Sequence, residues 1–267
     1  MGATFFGGHD ALLCDLDGVV YAGDGAIDGA VDTLNELMER GVPVAFVTNN
    51  ASRSPQSVCA HLLDLGITAS AEQVFGAAAV GVRLLEDLAL AGGSAVLVVG
   101  SDYLRTLVRD AGYRVVSTAT DHAAAVIQGF DPSLGWADLA EAAYAIQNGA
   151  AWVATNTDLT IPRAEGIAPG NGSLVEAVSR ATGVVPPAAG KPEPLLFQWA
   201  AEQLGAEHAL VVGDRLDTDI LGGNRAGFTT ALVLTGIDSR DSVDAAPRDQ
   251  HPDLILESLT DLLGEPA

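Results

Sequence analysis

The stretch Ala11-Leu12-Leu13-Cys14-Asp15-Leu16-Asp17-Gly18 places four apolar residues directly before two carboxylates and a glycine. An apolar run of this length that ends in a turn predicts a buried strand over Ala11–Cys14. Asp15 and Asp17 can both face one crevice once the chain leaves strand geometry at Gly18. One carboxylate could then attack phosphorus while the other transfers protons. An Asx-type turn explains the same residues when the motif is judged alone.

Short apolar segments and amphipathic segments alternate on both sides of this stretch. Three segments have the start and stop signals of helices, with glycine just past each end: Asp28–Arg40 and the segments that begin at Pro55 and Pro194. This alternation predicts an α/β fold on a parallel sheet. The other strands predicted for the core are Val42–Val47, Leu210–Val212, Thr230–Leu234 and Leu254–Leu256.

The middle of the chain repeats the α/β pattern independently, and Thr182–Ala189, rich in proline and small residues, resembles a linker. We therefore predict a core domain over 1–77 plus 190–267, interrupted by an inserted domain over 78–189. The predicted elements of the insert are strands at Ala95–Val99, Arg114–Val116, Ala124–Ile127 and Ala151–Thr155, and helices at Tyr103–Ala111 and Trp136–Asn148.

The chain has 267 residues, 48% of them hydrophobic, and a formal net charge of -22. Such acidity argues against binding to nucleic acid or to an anionic membrane, because both require basic patches. The apolar runs are shorter than the roughly 20 residues that cross a bilayer. Residues 1–10 lack the features of a signal peptide, and Cys14 and Cys59 are too few for a disulfide framework. We therefore expect a cytoplasmic protein.

Two further polar clusters precede predicted helices. Thr48-Asn49-Asn50 follows a strand, and its hydroxyl, amides and N–H groups could hold phosphoryl oxygens, although a polar loop before a helix cap explains it equally. Lys191 is the only lysine in the chain and lies just before a predicted helix. Because every other lysine or arginine position in the chain is arginine, a lysine here suggests a site that needs a compact ammonium. Chance survival of one lysine is the alternative.

A fourth cluster, Gly213–Asp219, follows the strand Leu210–Val212. Mg²⁺ prefers oxygen ligands and keeps several waters, so one or two carboxylates are sufficient protein ligands. Asp214, at the strand end, is the expected ligand, and Asp219 in the next helical turn could orient a metal-bound water. Asp217 is interpreted as a charge that complements a helix N-terminus.

Taken together, the four clusters resemble the haloacid dehalogenase-type hydrolases, in particular the class IIA phosphatases with a C2-type cap. The matching runs are Asp15–Tyr21, Val47–Asn50, Gly190–Pro194 and Gly213–Ile220, with Gly129–Asp131 and Thr155–Asp158 in the insert. Thr157 departs from the family pattern, which usually has proline there. The resemblance implies a Rossmann-like parallel-sheet core with an inserted α/β cap, and the distance from Thr48 to Lys191 leaves room for that cap.

The resemblance also implies a reaction. Mg²⁺ would be bound by Asp15, the Asp17 backbone carbonyl and Asp214, with a water held by Asp219. Asp15 would be the nucleophile and Asp17 the acid/base. The expected phosphate-binding residues are Gly18, Thr48, Asn49, Asn50 and Lys191, of which Thr48 and Lys191 also stabilise transition-state charge. The expected partner is a small phosphorylated metabolite, with glycerol 3-phosphate preferred over a nucleoside monophosphate or pyridoxal phosphate. A homodimer through the cap is a further hypothesis.

Two alternatives remain open at this point. A signalling receiver also carries a phosphoacceptor aspartate on an α/β sheet, but it needs neither a second aspartate two residues later nor an inserted domain. A dinucleotide-binding enzyme is suggested by Val96–Asp102, which lacks the later glycines of that fingerprint. For substrate choice, the insert offers Asn156, Asp158, Arg163, Tyr103 and Trp152, although an Asx turn or a core contact explains some of them as well.

Overall fold

The computed structural model describes residues 5–23, 25–163 and 166–264, except the side chains of Pro162 and Arg163. Within these ranges the chain forms two compact units. As far as its residues are described, the first unit comprises Met1–Thr48, Pro55–Phe75 and Lys191–Ala267. The second comprises Asn49–Ser54 and Gly76–Gly190, so Asn49–Ser54 groups with the insert, whereas the sequence-based boundaries place it in the core.

Strands and helices alternate through both units. The strands are β1 (Ala11–Cys14), β2 (Tyr21–Ala22), β3 (Gly25–Ala26), β4 (Val44–Thr48), β5 (Val74–Gly76), β6 (Ala95–Val99), β7 (Arg114–Val116), β8 (Ala125–Gln128), β9 (Ala151–Ala154), β10 (Thr160–Arg163), β11 (Gly166–Pro169), β12 (Ala209–Gly213), β13 (Thr229–Val233) and β14 (Leu254–Leu256). The helices are α1 (Ala30–Glu39), α2 (Pro55–Asp64), α3 (Ala77–Glu86), α4 (Asp102–Asp110), α5 (Trp136–Gln147), α6 (Asn171–Thr182), α7 (Leu195–Leu204), α8 (Leu221–Ala226) and α9 (Arg240–Ala245).

The first unit is built on a six-stranded sheet in the order β14-β13-β12-β1-β4-β5. Strand β1 lies between β12 and β4 and pairs with both in parallel, with Leu12 opposite Leu210 on one side and Val44 on the other. All four residues of β1 are fully buried, as expected for a central strand covered on both faces. Parallel pairing brings the carboxyl ends of β1, β4 and β12 to the same edge of the sheet, where ligands bind in such folds.

The second unit contains a four-stranded parallel sheet in the order β7-β6-β8-β9. Successive residues of β8 face opposite sides, because side chains on a strand have a period of two. Val126 packs in the cluster that includes residues of α5 and α6, whereas Ile127 packs in the cluster that includes residues of α3 and α4. Strands β10 and β11 form a separate antiparallel hairpin.

The predicted α/β class, with a Rossmann-like parallel core and an inserted α/β domain, is confirmed. Strand β4 starts two residues later than predicted and extends to Thr48. The Thr48 hydroxyl therefore belongs to the last residue of the strand. The sequence analysis missed β2, β3, β5, α3, α6, α9 and the β10–β11 hairpin. No helix in the described ranges combines the length and the apolar character that a bilayer crossing requires.

Candidate active site

Asp15 is held at the carboxyl end of β1. Its backbone N–H donates to the Val212 carbonyl at 2.9 Å, which continues the ladder with β12 for one further residue. Only 8% of the residue is exposed. Burial, followed by the nearby negative charge of Asp219, raises the pKa of Asp15 well above its ordinary value, and Lys191 opposes this shift. The preceding thiol, Cys14, is fully buried with a raised pKa, which argues against a thiolate nucleophile.

Lys191 brings two carboxylates together. Its Nζ donates to Asp15 Oδ1 at 2.5 Å and to Asp219 Oδ1 at 2.7 Å. Burial lowers the pKa of Lys191, but the two carboxylates outweigh burial and raise the pKa above its ordinary value. The lysine is therefore a permanent cation at neutral pH, which is what a phosphoryl-binding ammonium requires.

Asp214 follows β12 at the same edge and is 2% exposed. Its Oδ2 accepts a hydrogen bond from the Ile237 N–H at 2.8 Å. Two glycines allow this approach: a Cβ on Gly18 would lie 2.3 Å from Oδ2, and a Cβ on Gly236 would lie 2.0 Å from it. Burial, followed by the charge of Asp219, raises the pKa of Asp214 to about 7.

Asp219 lies in a single π-helical turn, Leu216–Ile220, between β12 and α8. Its side chain points back to the strand end, where Oδ1 contacts Lys191 and Oδ2 accepts from the Arg215 N–H at 3.2 Å. A Cβ on Gly213 would lie 2.1 Å from the Asp219 Cβ, so only glycine fits there. π-Helical turns are rare and often occur at functional sites.

The carboxylates of Asp15, Asp214 and Asp219 form one buried group in which an oxygen of each lies within 4.8 Å of the others. Three ionised carboxylates and one ammonium would leave two negative charges in a buried space, and the raised pKa values of Asp15 and Asp214 reflect burial first and that repulsion second. A divalent cation with a preference for oxygen ligands balances this charge, so the residues fit Mg²⁺. The role that sequence analysis gave Asp219, holding a metal-bound water, stays a prediction.

Asp17 and Gly18 occupy the turn after Asp15. Asp17 is exposed, in contrast to Asp15, which suits a group that exchanges protons with solvent. Gly18 has a φ of 80°, a left-handed conformation that favours glycine. Its N–H donates to the Tyr21 carbonyl at 2.9 Å, and its carbonyl accepts from Thr235 Oγ1 at 2.7 Å. The acid/base role of Asp17, its carbonyl's metal contact and the phosphate-binding role of Gly18 stay predictions.

Thr48 lies at the end of β4 and is 5% exposed. The two asparagines that follow it are engaged in structural contacts. Asn49 Nδ2 donates to Asp158 Oδ1 at 2.9 Å, and Asn50 Oδ1 accepts from the N–H and hydroxyl of Ser52. The Asn50 contacts are those of the polar loop that the sequence left open as an alternative. Phosphate binding by Thr48, Asn49 and Asn50 stays a prediction.

Several residues that shape the site were missed by sequence analysis. Thr235 supports Gly18, Gly236 makes room for Asp214, and Asp238 Oδ2 accepts from the Leu216 N–H at 2.8 Å at the start of the π-turn. All three follow β13, a strand that the sequence predicted correctly. A polar run with glycine after a predicted strand was therefore the signal that could have found them.

The candidate specificity residues of the second unit have other places. Trp152 is 4% exposed and packs within an apolar cluster, so it is a core residue. Tyr103 is partly buried, and this burial raises the pKa of its phenol. Asn156 is 4% exposed, and its Nδ2 donates to the Asn49 carbonyl at 2.7 Å. The side chain of Arg163 lies outside the described residues.

Two family models match the chain. Residues 12–114 match the family described as haloacid dehalogenase-like hydrolase, and residues 188–262 match a family described as HAD-hydrolase-like. The first match contains Asp15 and Thr48, and the second contains Lys191, Asp214 and Asp219. Each match therefore contains part of the buried carboxylate group.

Characterised relatives cover most of the chain. It is 49% identical over 240 residues to a D-glycerol 3-phosphate phosphatase of Mycobacterium tuberculosis, covering 90% of this chain and 67% of that protein. It is 36% identical over 237 residues to an acid sugar phosphatase of Staphylococcus aureus, covering 88% and 90%. A crystal structure of a glycerol phosphate phosphatase from M. tuberculosis in complex with magnesium superposes with a TM-score of 0.91 at 45% identity, covering 96% of this chain and 77% of that one.

Proposed function

This chain belongs to the haloacid dehalogenase-like hydrolases, and we propose that it is the family's kind of Mg²⁺-dependent phosphatase, with glycerol 3-phosphate as its substrate. It is a phosphoric monoester hydrolase, as its phosphatase relatives indicate. The observation that carries the assignment of roles is the buried contact of Asp15 with Lys191 beside Asp214 and Asp219. A carboxylate nucleophile, a fixed cation and further carboxylate ligands at one sheet edge suit phosphoryl transfer.

In this proposal Asp15 is the nucleophile. One of its oxygens forms a bond to phosphorus, and the bond from phosphorus to the ester oxygen breaks, leaving an aspartyl phosphate. Asp17 gives its proton to the departing alkoxide and then takes a proton from the water that cleaves the aspartyl phosphate. Lys191 and Thr48 donate hydrogen bonds to phosphoryl oxygens as charge shifts onto them.

Asp15, Asp214 and the Asp17 carbonyl would hold Mg²⁺, which would supply positive charge to the phosphoryl oxygens. That positive charge would be local to the site, in a chain whose net charge of -22 otherwise repels an anionic substrate. Lys191 favours the ionised form of Asp15, because the ammonium opposes the rise in the carboxyl pKa that burial and Asp219 cause. Asp219 orients that ammonium and the metal-side water, and its own position depends on the π-turn.

The substrate assignment rests on the 49% identity to a protein named D-glycerol 3-phosphate phosphatase. The 36% identity to an acid sugar phosphatase supports a sugar phosphate as the second candidate. Nucleoside monophosphates and pyridoxal phosphate are the remaining candidates from the sequence analysis, and the homodimer through the cap stays a prediction.

A panel of phosphomonoesters, assayed with Mg²⁺ and ranked by kcat/KM, tests the function. We expect a glycerol 3-phosphate enantiomer to rank first, above sugar phosphates, nucleoside monophosphates and pyridoxal phosphate. If a sugar phosphate ranks first, the proposed substrate is wrong, but the proposed reaction is unaffected. If no ester is hydrolysed and Asp15 instead holds an acyl phosphate for hours, the receiver-type alternative is correct and the proposed function is wrong.

A further inference from the structure

We propose that Asn156 and Asp158 are positioning residues for this reaction, acting through Asn49 and Gly190. Asn49 and Gly190 are the first and last residues of the second unit. In the chain, Asn49 directly follows Thr48 and Gly190 directly precedes Lys191. The inference rests on the proposed function, since it concerns the placement of two residues assigned there to the phosphate.

The first set of contacts holds Asn49 from both its backbone and its side chain. Asn156 Nδ2 donates to the Asn49 carbonyl at 2.7 Å, and Asn49 Nδ2 donates to Asp158 Oδ1 at 2.9 Å. These residues are more than a hundred positions apart in the chain. A bond to an ionised carboxylate is stronger than a neutral one, so the contact with Asp158 orients the Asn49 side chain firmly.

The second set of contacts holds Gly190 against the same loop. Its N–H donates to the Thr155 carbonyl at 2.8 Å. An added Cβ would lie 2.5 Å from Asn49 Oδ1 and 3.1 Å from the Asn156 Cβ, so no side chain fits between them. The two ends of the second unit therefore pack against each other and against the loop Thr155–Asp158.

That loop is itself anchored at the start of α6. The Asn156 carbonyl accepts from Asn171 Nδ2 at 2.7 Å, and the Asp158 carbonyl accepts from the Gly172 N–H at 2.8 Å. A Cβ on Gly172 would lie 2.1 Å from the Thr157 carbonyl oxygen, which shows how tightly the helix start packs on the loop. A rigid support behind Asn156 and Asp158 is what a positioning role requires.

Consecutive Cα atoms are about 3.8 Å apart across a trans peptide, so the orientation of Asn49 and Gly190 constrains Thr48 and Lys191 directly. A misplacement of about 1 Å can cost about 10²-fold in rate even when the altered residue is remote from the chemistry. Because Thr48 and Lys191 are assigned to the phosphoryl group, the loss should be the same for any leaving group. A residue that recognises the alcohol would instead discriminate between substrates.

Asp158→Ala, Asp158→Asn and Asp121→Ala make a matched series within the second unit. Asp121 also accepts one side-chain hydrogen bond, from Thr118 Oγ1 at 2.9 Å, so Asp121→Ala controls for loss of such a contact. For each variant, kcat and KM are measured with glycerol 3-phosphate and p-nitrophenyl phosphate, together with the inhibition constant of inorganic phosphate and Tm.

We expect Asp158→Ala to lower kcat/KM by about 10- to 100-fold, equally for both esters, and to weaken phosphate inhibition. Asp158→Asn, which keeps an acceptor oxygen, should recover most of the activity, and Asp121→Ala should match the parent protein. The proposal is overturned if Asp158→Ala lowers Tm alone, or if only one ester is affected. If Asp158→Ala does not fold, Asn156→Ala, which removes the donor to the Asn49 carbonyl, decides with the same readouts and the same expected loss. An inactive parent protein would reject the proposed function instead.

Discussion

Lys191 donates a 2.5 Å hydrogen bond to Asp15 across 176 positions of sequence, and both residues are buried. The same ammonium reaches Asp219 at 2.7 Å, so one cation joins two of the three carboxylates in the buried group. The solitary lysine therefore has two separable roles, one in stabilising the charged site and one in the proposed reaction.

Asp15→Asn should reduce turnover by roughly 10³-fold or more while leaving the fold intact, because an amide cannot form the aspartyl phosphate. Steady-state kinetics and circular dichroism measure the two effects. Asp217→Asn is the control: this exposed carboxylate in the same region pairs only with Arg215 among the contacts described, at 2.8 Å. Full activity in Asp15→Asn would remove Asp15 as nucleophile.

Asp17→Asn should affect leaving groups unequally in the first chemical step. p-Nitrophenolate departs without a proton, whereas a glycerol alkoxide needs one. We therefore expect a burst of p-nitrophenolate followed by slow turnover, because the second step lacks its base, and no burst of glycerol. Rapid-quench measurements with both esters decide this. Equal suppression of both first steps would contradict the acid role of Asp17.

Gly236→Ala should weaken Mg²⁺ binding and activity, since its Cβ would lie 2.0 Å from Asp214 Oδ2 and must displace that carboxylate. Gly25→Ala is the matched control, because a Cβ there meets nothing within 4 Å. Calorimetric titration with Mg²⁺ compares the two variants. Unchanged Mg²⁺ affinity in Gly236→Ala would contradict the prediction that displacing the Asp214 carboxylate weakens the metal site.

Lys191→Met should destabilise the metal-free protein by about 3–5 kcal/mol at neutral pH, because two buried carboxylates lose their cation. The loss should shrink at acidic pH, because the raised pKa of Asp15 favours its neutral form there. Urea denaturation in the presence of a chelator measures both values. Arg40→Met, which removes the exposed pair with Glu36, should cost less than about 1 kcal/mol. A pH-independent loss in Lys191→Met would count against the charge explanation.

Mg²⁺ affinity should rise as pH increases through 7. The pKa of Asp214 is raised to about 7, above the ordinary 3.8, so without metal its ionisation lowers folding stability as pH rises between these values. Mg²⁺ competes with the bound proton and should bind more tightly once the proton has left. Titrations from pH 5.5 to 8 test this trend, which should be weaker in Asp214→Asn. A flat profile in the parent protein would exclude proton competition at Asp214.

Sequence alone was sufficient for the fold class and for placing several candidate site residues at one edge of the sheet. Buried strands have a legible pattern, and parallel strands share an edge at their carboxyl ends, so Asp15, Thr48 and Asp214 could be placed together without coordinates. The single lysine was equally visible, because composition is a property of the chain. The family resemblance then implied which of these residues acts as nucleophile, acid/base or metal ligand.

Only the tertiary structure decided which groups touch. The π-turn that directs Asp219 to Lys191, and the glycines at 18, 213 and 236 that make room for the carboxylates, depend on how closely loops approach. The contact between Asn49 and Asp158 spans 109 positions and belongs to two loops that no local pattern relates. Hydrophobic periodicity specifies elements and their faces, whereas side-chain contacts at strand ends arise from packing among distant segments.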